Sequence, residues 1–176
     1  MSQAEYLQRK FTLLKPLEKI KEVTVRPLNV ESIAGVEPKG EQFTQEDKEA
    51  LVMASTGLNQ DELESLSNPD WLSIYNASYD FYYKTGYQLA EVEQDDAAKK
   101  VKLFFSGERE ISFDLPTLKL SKMAGKISDD AQRVCFVIAN LTELEEDEVM
   151  ALPSPDYRSL VIAASNFLTK PAAYFQ

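Results

Sequence analysis

Histidine is absent from this chain, and cysteine occurs only once. Histidine is the commonest general base and the commonest ligand of transition metals, so its absence excludes Ser-His and Cys-His nucleophile systems. The single Cys135 lies in the apolar stretch VCFVIANL, cannot form an internal disulfide, and is predicted to be a small buried hydrophobic residue. The chain has only six glycines, and none belongs to a glycine-rich phosphate loop.

The sequence also lacks the residue pattern of a calcium-binding loop. The acidic runs ELEEDE and EQDD lack the spaced oxygen ligands and the glycine of an EF-hand loop, and acidic residues are common at helix starts. We therefore interpret both runs as solvated charge. The sequence predicts a protein without catalytic residues, without a metal site and without a cofactor.

Long apolar runs are absent too. No run approaches the roughly 18 residues of a membrane span, and the opening MSQAEYLQRKF lacks the apolar stretch of a secretion signal. The chain has 29 acidic and 19 basic residues, a net charge of −10, which disfavours nucleic acid and membrane surfaces as partners. An apolar content of 44% favours a globular protein, and the absence of a membrane span and of a secretion signal predicts that it is cytoplasmic.

One stretch of this chain occurs twice in similar form. TGLNQDELESLSNPDWLSIYNASYDF begins at Thr56, and TELEEDEVMALPSPDYRSLVIAASNF begins at Thr142. At a constant offset of 86 residues, 10 of the 26 positions are identical, where unrelated sequences would share roughly two. Apolar bulk is retained at helical spacing, as where Trp71 aligns with Tyr157. The pattern predicts a tandem repeat.

Each copy is predicted to begin with two strands. In LLKPLEKIKEVTVRPLNV, the β-favouring Ile20, Val23 and Val25 precede Pro27, which ends the extended run. In KVKLFFSGEREISFDLP, two apolar runs flank a Ser-Gly turn and predict a hairpin at roughly residues 101–115. The polar segment LAEVEQDDAAKK places the boundary near residue 96. We expect an α+β fold of two modules, residues 1–95 and 96–176, each a β-hairpin followed by about three helices.

Capping signals place the helices. In the first copy, Thr44 is predicted to cap a helix that ends near Gly57. Asn59, with Glu62 three residues later, predicts a second, short helix. Asn68 and Pro69 are expected to open a third helix, as Ser154 and Pro155 do in the second copy.

The third helix carries more aromatic bulk than one buried stripe requires. The predicted inward stripe is Trp71, Ile74, Tyr75, Ser78, Phe81 and Tyr82, matched in the second copy by Tyr157, Leu160, Val161, Ala164, Phe167 and Leu168. The additional rings either pack the repeats together or contact a client or another copy. The candidate partner-binding residues are Tyr75, Tyr79, Tyr82 and Tyr83 in the first copy and Tyr157 and Val161 in the second.

A set of residues accompanies this order of elements. They are Val23, Val25, Arg26, Pro27, Thr56, Gly57, Leu58, Leu63, Leu66, Asp70 and Phe81, with Leu144, Leu152, Asp156 and Phe167 retained in the second copy. With these residues, the order of elements resembles the phage tail assembly chaperones of the Mu-like type. The second copy departs from the pattern, with Phe113, Asp114 and Leu115 in place of the arginine-proline pair and Glu143 in place of the glycine. Two modules in tandem are also a departure.

The resemblance implies a non-catalytic protein that binds the tape measure protein, a long and largely helical chain, and keeps it soluble until the tail tube forms around it. It further implies action in the host bacterial cytoplasm, with the protein itself or other tail proteins as further partners. The alternative is a structural tail or baseplate component that stays in the virion.

Overall fold

A computed structural model describes residues 5–176 and has an α+β fold, with two small antiparallel hairpins and helices over roughly half of the chain. The chain forms two compact units that divide between Lys84 and Thr85. The sequence-based boundary lies later, near residue 96. The segment before it belongs with the second unit because its short helix packs against the last long helix and the Tyr87 ring lies edge-on to Phe104.

The first unit begins with the hairpin of β1 and β2, in which Phe11 pairs with Val23. Its first strand lies earlier than the sequence indicated, and residues 13–21 form the connection between the strands. Four helices follow the hairpin within the described residues, one more than expected. The additional helix has five residues, which is too short to show a periodic pattern in the sequence. The elements are β1 (Arg9–Thr12), β2 (Glu22–Val25), α1 (Val30–Ala34), α2 (Gln45–Thr56), α3 (Gln60–Glu64) and α4 (Asn68–Tyr83).

Local capping chemistry sets the helix ends of this unit, largely as predicted. Thr44 and Asp47 form a capping box at the start of α2, and Gly57 ends it at φ 80°, where a side chain would be strained. Asn59 caps α3 with Glu62, as predicted. The start of α4 differs by one residue: Ser67 is the cap and Asn68 is the first helical residue.

The second unit contains the predicted hairpin, in which Val101 pairs with Ile111. A short helix precedes the hairpin, and four helices and one 3₁₀ turn follow it. Ser154 is the first residue of the last long helix, with Pro153 as its cap. The elements are α5 (Gly86–Leu89), β3 (Lys100–Leu103), β4 (Arg109–Ser112), α6 (Leu118–Ala124), α7 (Asp130–Leu141), α8 (Glu146–Ala151), α9 (Ser154–Thr169) and a 3₁₀ turn (Ala172–Phe175).

Each unit has its own apolar core. Cys135 is buried in the second unit, as predicted, and burial, with Glu146 and Asp147 nearby, raises the pKa of its thiol. The core of the first unit includes Val23, Val25, Leu51, Val52, Ile74 and Phe81. The core of the second unit includes Val101, Leu103, Ile111, Val137, Ile138, Leu144, Leu160 and Phe167.

A buried carboxylate ties α4 to the chain that follows β1. Asp70 accepts hydrogen bonds from the backbone N–H groups of Leu14 (3.0 Å) and Lys15 (3.3 Å) and from the hydroxyl of Ser67 (2.6 Å). These donors, Ser67 first and Leu14 second, lower the pKa of Asp70. Asp70 therefore fixes the start of α4 against the hairpin.

A second buried carboxylate lies at the start of α9. Asp156 accepts hydrogen bonds from the backbone N–H of Phe105 (3.1 Å) and from the hydroxyl of Ser106 (2.8 Å). Burial outweighs these donors and raises the pKa of Asp156 from 3.8 to about 6. A Cβ at position 86 would lie 3.0 Å from an oxygen of Asp156, so Gly86 leaves room for the carboxylate.

Candidate interaction surface

Four aromatic side chains form a row along α4. Trp71, Tyr75, Tyr79 and Tyr83 follow one another at intervals of four residues, and side chains at that spacing are neighbours on a helix. The successive ring centroids are 5.8, 6.0 and 5.9 Å apart, and the rings of Tyr79 and Tyr83 are nearly parallel. We call these four residues the aromatic ladder.

Residues that precede and begin α2 flank the aromatic ladder. Phe43 lies edge-on to Tyr79, at 5.7 Å between centroids, and edge-on to Tyr82, at 5.2 Å. The ammonium of Lys48 lies 5.3 Å from the centroid of the Tyr75 ring, a cation–π distance. The packing of α2 against α4 therefore widens the row into an aromatic surface with one cation at its side.

The ladder faces outward because other residues of α4 supply the core. Ile74, Ala77, Ser78 and Phe81 are buried, and their positions form the inward stripe. Of the residues predicted for that stripe, Trp71, Tyr75 and Tyr82 are half-buried at its edges.

Exposure increases toward the end of the ladder. The exposed fraction is 36% for Tyr79 and 61% for Tyr83. Tyr75 is less exposed, and burial, with Tyr79 nearby, raises the pKa of its hydroxyl. The rings of Tyr79 and Tyr83 are thus the most accessible part of the surface.

A carboxylate near the end of α4 is paired with two cations. The carboxylate of Asp80 contacts the guanidinium of Arg9 at 2.8 Å and the ammonium of Lys84 at 3.1 Å. Burial by itself would raise the pKa of Asp80, but hydrogen bonds from Arg9 and Lys84 outweigh it and the pKa is lowered. Asp80 therefore stays ionised and paired.

The predicted partner-binding residues fall into two sets. Tyr75, Tyr79, Tyr82 and Tyr83 lie close together on the first unit, whereas Tyr157 and Val161 lie on α9 and pack, half-buried, against the core of the second unit. Trp71 and Phe43 also belong to the surface, although the sequence analysis placed Trp71 in the core and did not single out Phe43. The interval of four residues from Trp71 to Tyr83 is the signal that could have identified the ladder.

Apolar ring faces bordered by hydroxyl groups are suited to binding a partner chain. Within residues 5–176, no cluster of three or more cysteine, aspartate or glutamate side chains could hold a metal ion. No helix in the same range combines the length and the apolar character that crossing a bilayer requires. Comparison with protein-family models, with curated proteins and with solved structures finds no match to this chain.

Proposed function

We propose that this chain is a phage tail assembly chaperone, which binds the tape measure protein in the host bacterial cytoplasm and keeps it soluble without catalysing a reaction. The observation that carries the proposal is the aromatic ladder, a row of rings that is half-buried at Trp71 and Tyr75 and exposed at Tyr79 and Tyr83, on a helix whose other face already fills a core. The sequence resemblance to the Mu-like tail assembly chaperones supplies the identity of the client.

The dimensions of the ladder suit a helical client. Its four residues span twelve positions, or about 18 Å at the helical rise of 1.5 Å per residue, about three turns of a helix lying alongside. A client helix with a long apolar stripe would cover the exposed faces of Tyr79 and Tyr83. The net charge of −10 would help to keep such a complex in solution.

We also infer that the two units are tandem copies of one module. The steps from Asn68 to Ser154 and from Tyr83 to Thr169, the ends of the long helices α4 and α9, are each 86 residues. Asp70 and Asp156, also 86 residues apart, both bind the backbone N–H of the second residue after a hairpin's first strand, Leu14 or Phe105. A shared ancestor explains why these particular contacts recur.

Local hydrogen bonds made by a threonine in each unit support the same inference. The hydroxyls of Thr56 and Thr142 each donate to the carbonyl four residues earlier at 2.7 Å. Each threonine hydroxyl also accepts from the backbone N–H two residues later at 3.2 Å.

The ladder is not duplicated, because the positions of α9 that correspond to Tyr79 and Tyr83 hold Ser165 and Thr169. We therefore assign client binding to the first module.

Replacing Tyr79 and Tyr83 together with serine should weaken capture of the co-expressed tape measure protein at least tenfold, because about two desolvated aromatic contacts would be lost. The melting temperature should change little, since exposed side chains contribute little to the core. Affinity pull-down with quantification of both proteins measures the first effect, and thermal unfolding measures the second.

Tyr174→Ser is the matched control, because Tyr174 is a tyrosine of the second unit with 38% exposure, close to that of Tyr79. It should leave capture unchanged. Equal capture by the Tyr79/Tyr83 variant and the wild type would remove the ladder from the proposal. Finding the wild-type protein at fixed stoichiometry in purified virions would contradict the chaperone function and favour a structural tail or baseplate component.

A further inference from the structure

The segment of residues 115–126 forms a basic and apolar surface in an otherwise acidic chain. It contains Lys119, Lys122 and Lys126 and no aspartate or glutamate. None of these lysines has an ion-pair partner among residues 5–176. Three apolar side chains lie among them with large exposed fractions, 55% for Leu115, 74% for Leu118 and 45% for Met123. We call these six residues the basic strip.

The packing of α6 explains why the strip faces outward. Thr117 caps this helix of seven residues, and only Ala124 is buried while Leu120 is half-buried against the core. The short helix of the first unit, α1, instead buries its apolar residues Val30 and Ile33. The strip is therefore a specific feature of the second unit.

An acidic hollow lies at another place in the second unit, between the end of α7 and the start of α8. It is lined by Ala139, Asn140, Glu145, Glu146 and Asp147. The three carboxylates are exposed, and within the described part of the chain none of them has a basic partner.

The acidic residues next to the hollow, unlike those that line it, have a basic partner. Glu143 and Glu148 are both paired with Arg109, at 3.2 and 3.9 Å. The uncompensated negative charge of the region is therefore concentrated at the hollow.

We propose that the basic strip of one copy docks into the acidic hollow of a second copy. Three lysines without acidic partners match three carboxylates without basic partners, and the projecting Leu118 fits a concave surface that contains Ala139. Repulsion between two chains of charge −10 does not prevent the contact, because charges beyond the Debye length of about 8 Å are screened at physiological salt.

Each copy offers one strip and one hollow, and the contact therefore generates either a closed assembly or an open chain of copies. This inference does not depend on the proposed function, because it concerns only copies of this chain.

The test is sedimentation equilibrium of the purified protein at increasing concentration. The wild type should reach masses that are multiples of 19.9 kDa. Lys119→Glu with Lys122→Glu should raise the dissociation constant by at least about tenfold, since two attractive charge pairs become repulsive. Glu146→Lys with Asp147→Lys should have the same effect from the opposite side.

Mixing the two charge-reversal variants is the decisive arm. In the mixture, the reversed strip of one variant is complementary to the reversed hollow of the other, and the two unchanged surfaces are also complementary to each other. Each variant alone has two surfaces of like charge, so association should return in the mixture alone. Lys19→Glu with Lys21→Glu is the matched control, because it makes the same charge change at exposed lysines of the first unit and should leave association intact. A wild type that stays monomeric, association that survives the strip variant, or a mixture that does not associate would overturn the proposal.

Discussion

Phe81→Ala should destabilise the first unit by about 3–5 kcal/mol, the cost of removing a buried aromatic ring and leaving a cavity. Phe81 is 1% exposed, and the Arg9 guanidinium lies 5.5 Å from the centroid of its ring. Leu28, Ile33 and Leu51 line the same interior space as Phe81. Because this packing is dense, the surrounding side chains cannot close over the missing ring without strain. Urea denaturation, monitored by hydrogen exchange of peptides from the first unit, measures the loss in the free energy of unfolding.

Trp71→Ala is the control for this prediction, since Trp71 is as large a ring on the same helix but is half-buried in the aromatic ladder. The loss of stability for Trp71→Ala should be clearly smaller than that for Phe81→Ala, because folding removes less apolar area from water at a half-buried side chain. Equal losses for the two variants would show that Trp71 contributes to the core as strongly as Phe81, contrary to the packing described.

Asp156→Asn should remove a pH-dependent loss of stability from the second unit. The pKa of Asp156 is raised from 3.8 to about 6 in the folded chain, chiefly by burial. A carboxyl group with a raised folded pKa stabilises the fold while it is protonated, fully below pH 3.8, and this contribution is lost as the pH rises through about 6. The whole effect is about 3 kcal/mol.

About half of this change, roughly 1.5 kcal/mol, falls between pH 5 and 7.5. This range lies above the isoelectric point near 4.6, so the protein keeps a net negative charge. Hydrogen exchange of peptides from α9, compared between the wild type and Asp156→Asn at each pH, isolates the contribution from those of other groups. The variant should gain stability relative to the wild type as the pH rises.

Asp70→Asn provides the comparison of opposite sign. Hydrogen bonds lower the pKa of Asp70, so its stabilising contribution is present at neutral pH and is lost as the pH falls through the folded pKa. The Asp70 variant should therefore lose stability relative to the wild type at neutral pH. A parallel pH dependence of the two variants would contradict the burial assigned to Asp156.

Local chemistry explains which elements the sequence predicted. The Thr44 cap and the Asn59 cap with Glu62 are self-contained local signals, and both predictions are confirmed. At the start of α4, Ser67 and Asn68 are both competent caps. Ser67 is the cap because its hydroxyl accepts from the backbone N–H of Asp70 and donates to the Asp70 carboxylate, which the backbone N–H of Leu14 also binds. β1 could not be located because three of its four residues, Arg9, Lys10 and Thr12, are polar, so the alternation of its burial has no counterpart in the hydropathy of the sequence.

The candidate interaction surface was predictable only in part. The excess of rings on α4 indicated that some are exposed, and the exposure of Tyr79 and Tyr83 agrees with that expectation. A periodicity of three and four residues could not decide whether Trp71 belongs to the inward stripe or to its edge. The packing of Phe43 depends on how α2 meets α4, and no pattern within one helix contains that information.

The two ends of the first unit hold each other in place. Arg9 in β1 pairs with Asp80 near the end of α4, and the residues after β1 bind Asp70. During synthesis on the ribosome, the hairpin of β1 and β2 emerges well before its partners on α4, so it must wait in a form that is only marginally stable alone. Vectorial synthesis therefore delays closure of the unit until α4 is complete, and the strand made first is among the last to be secured.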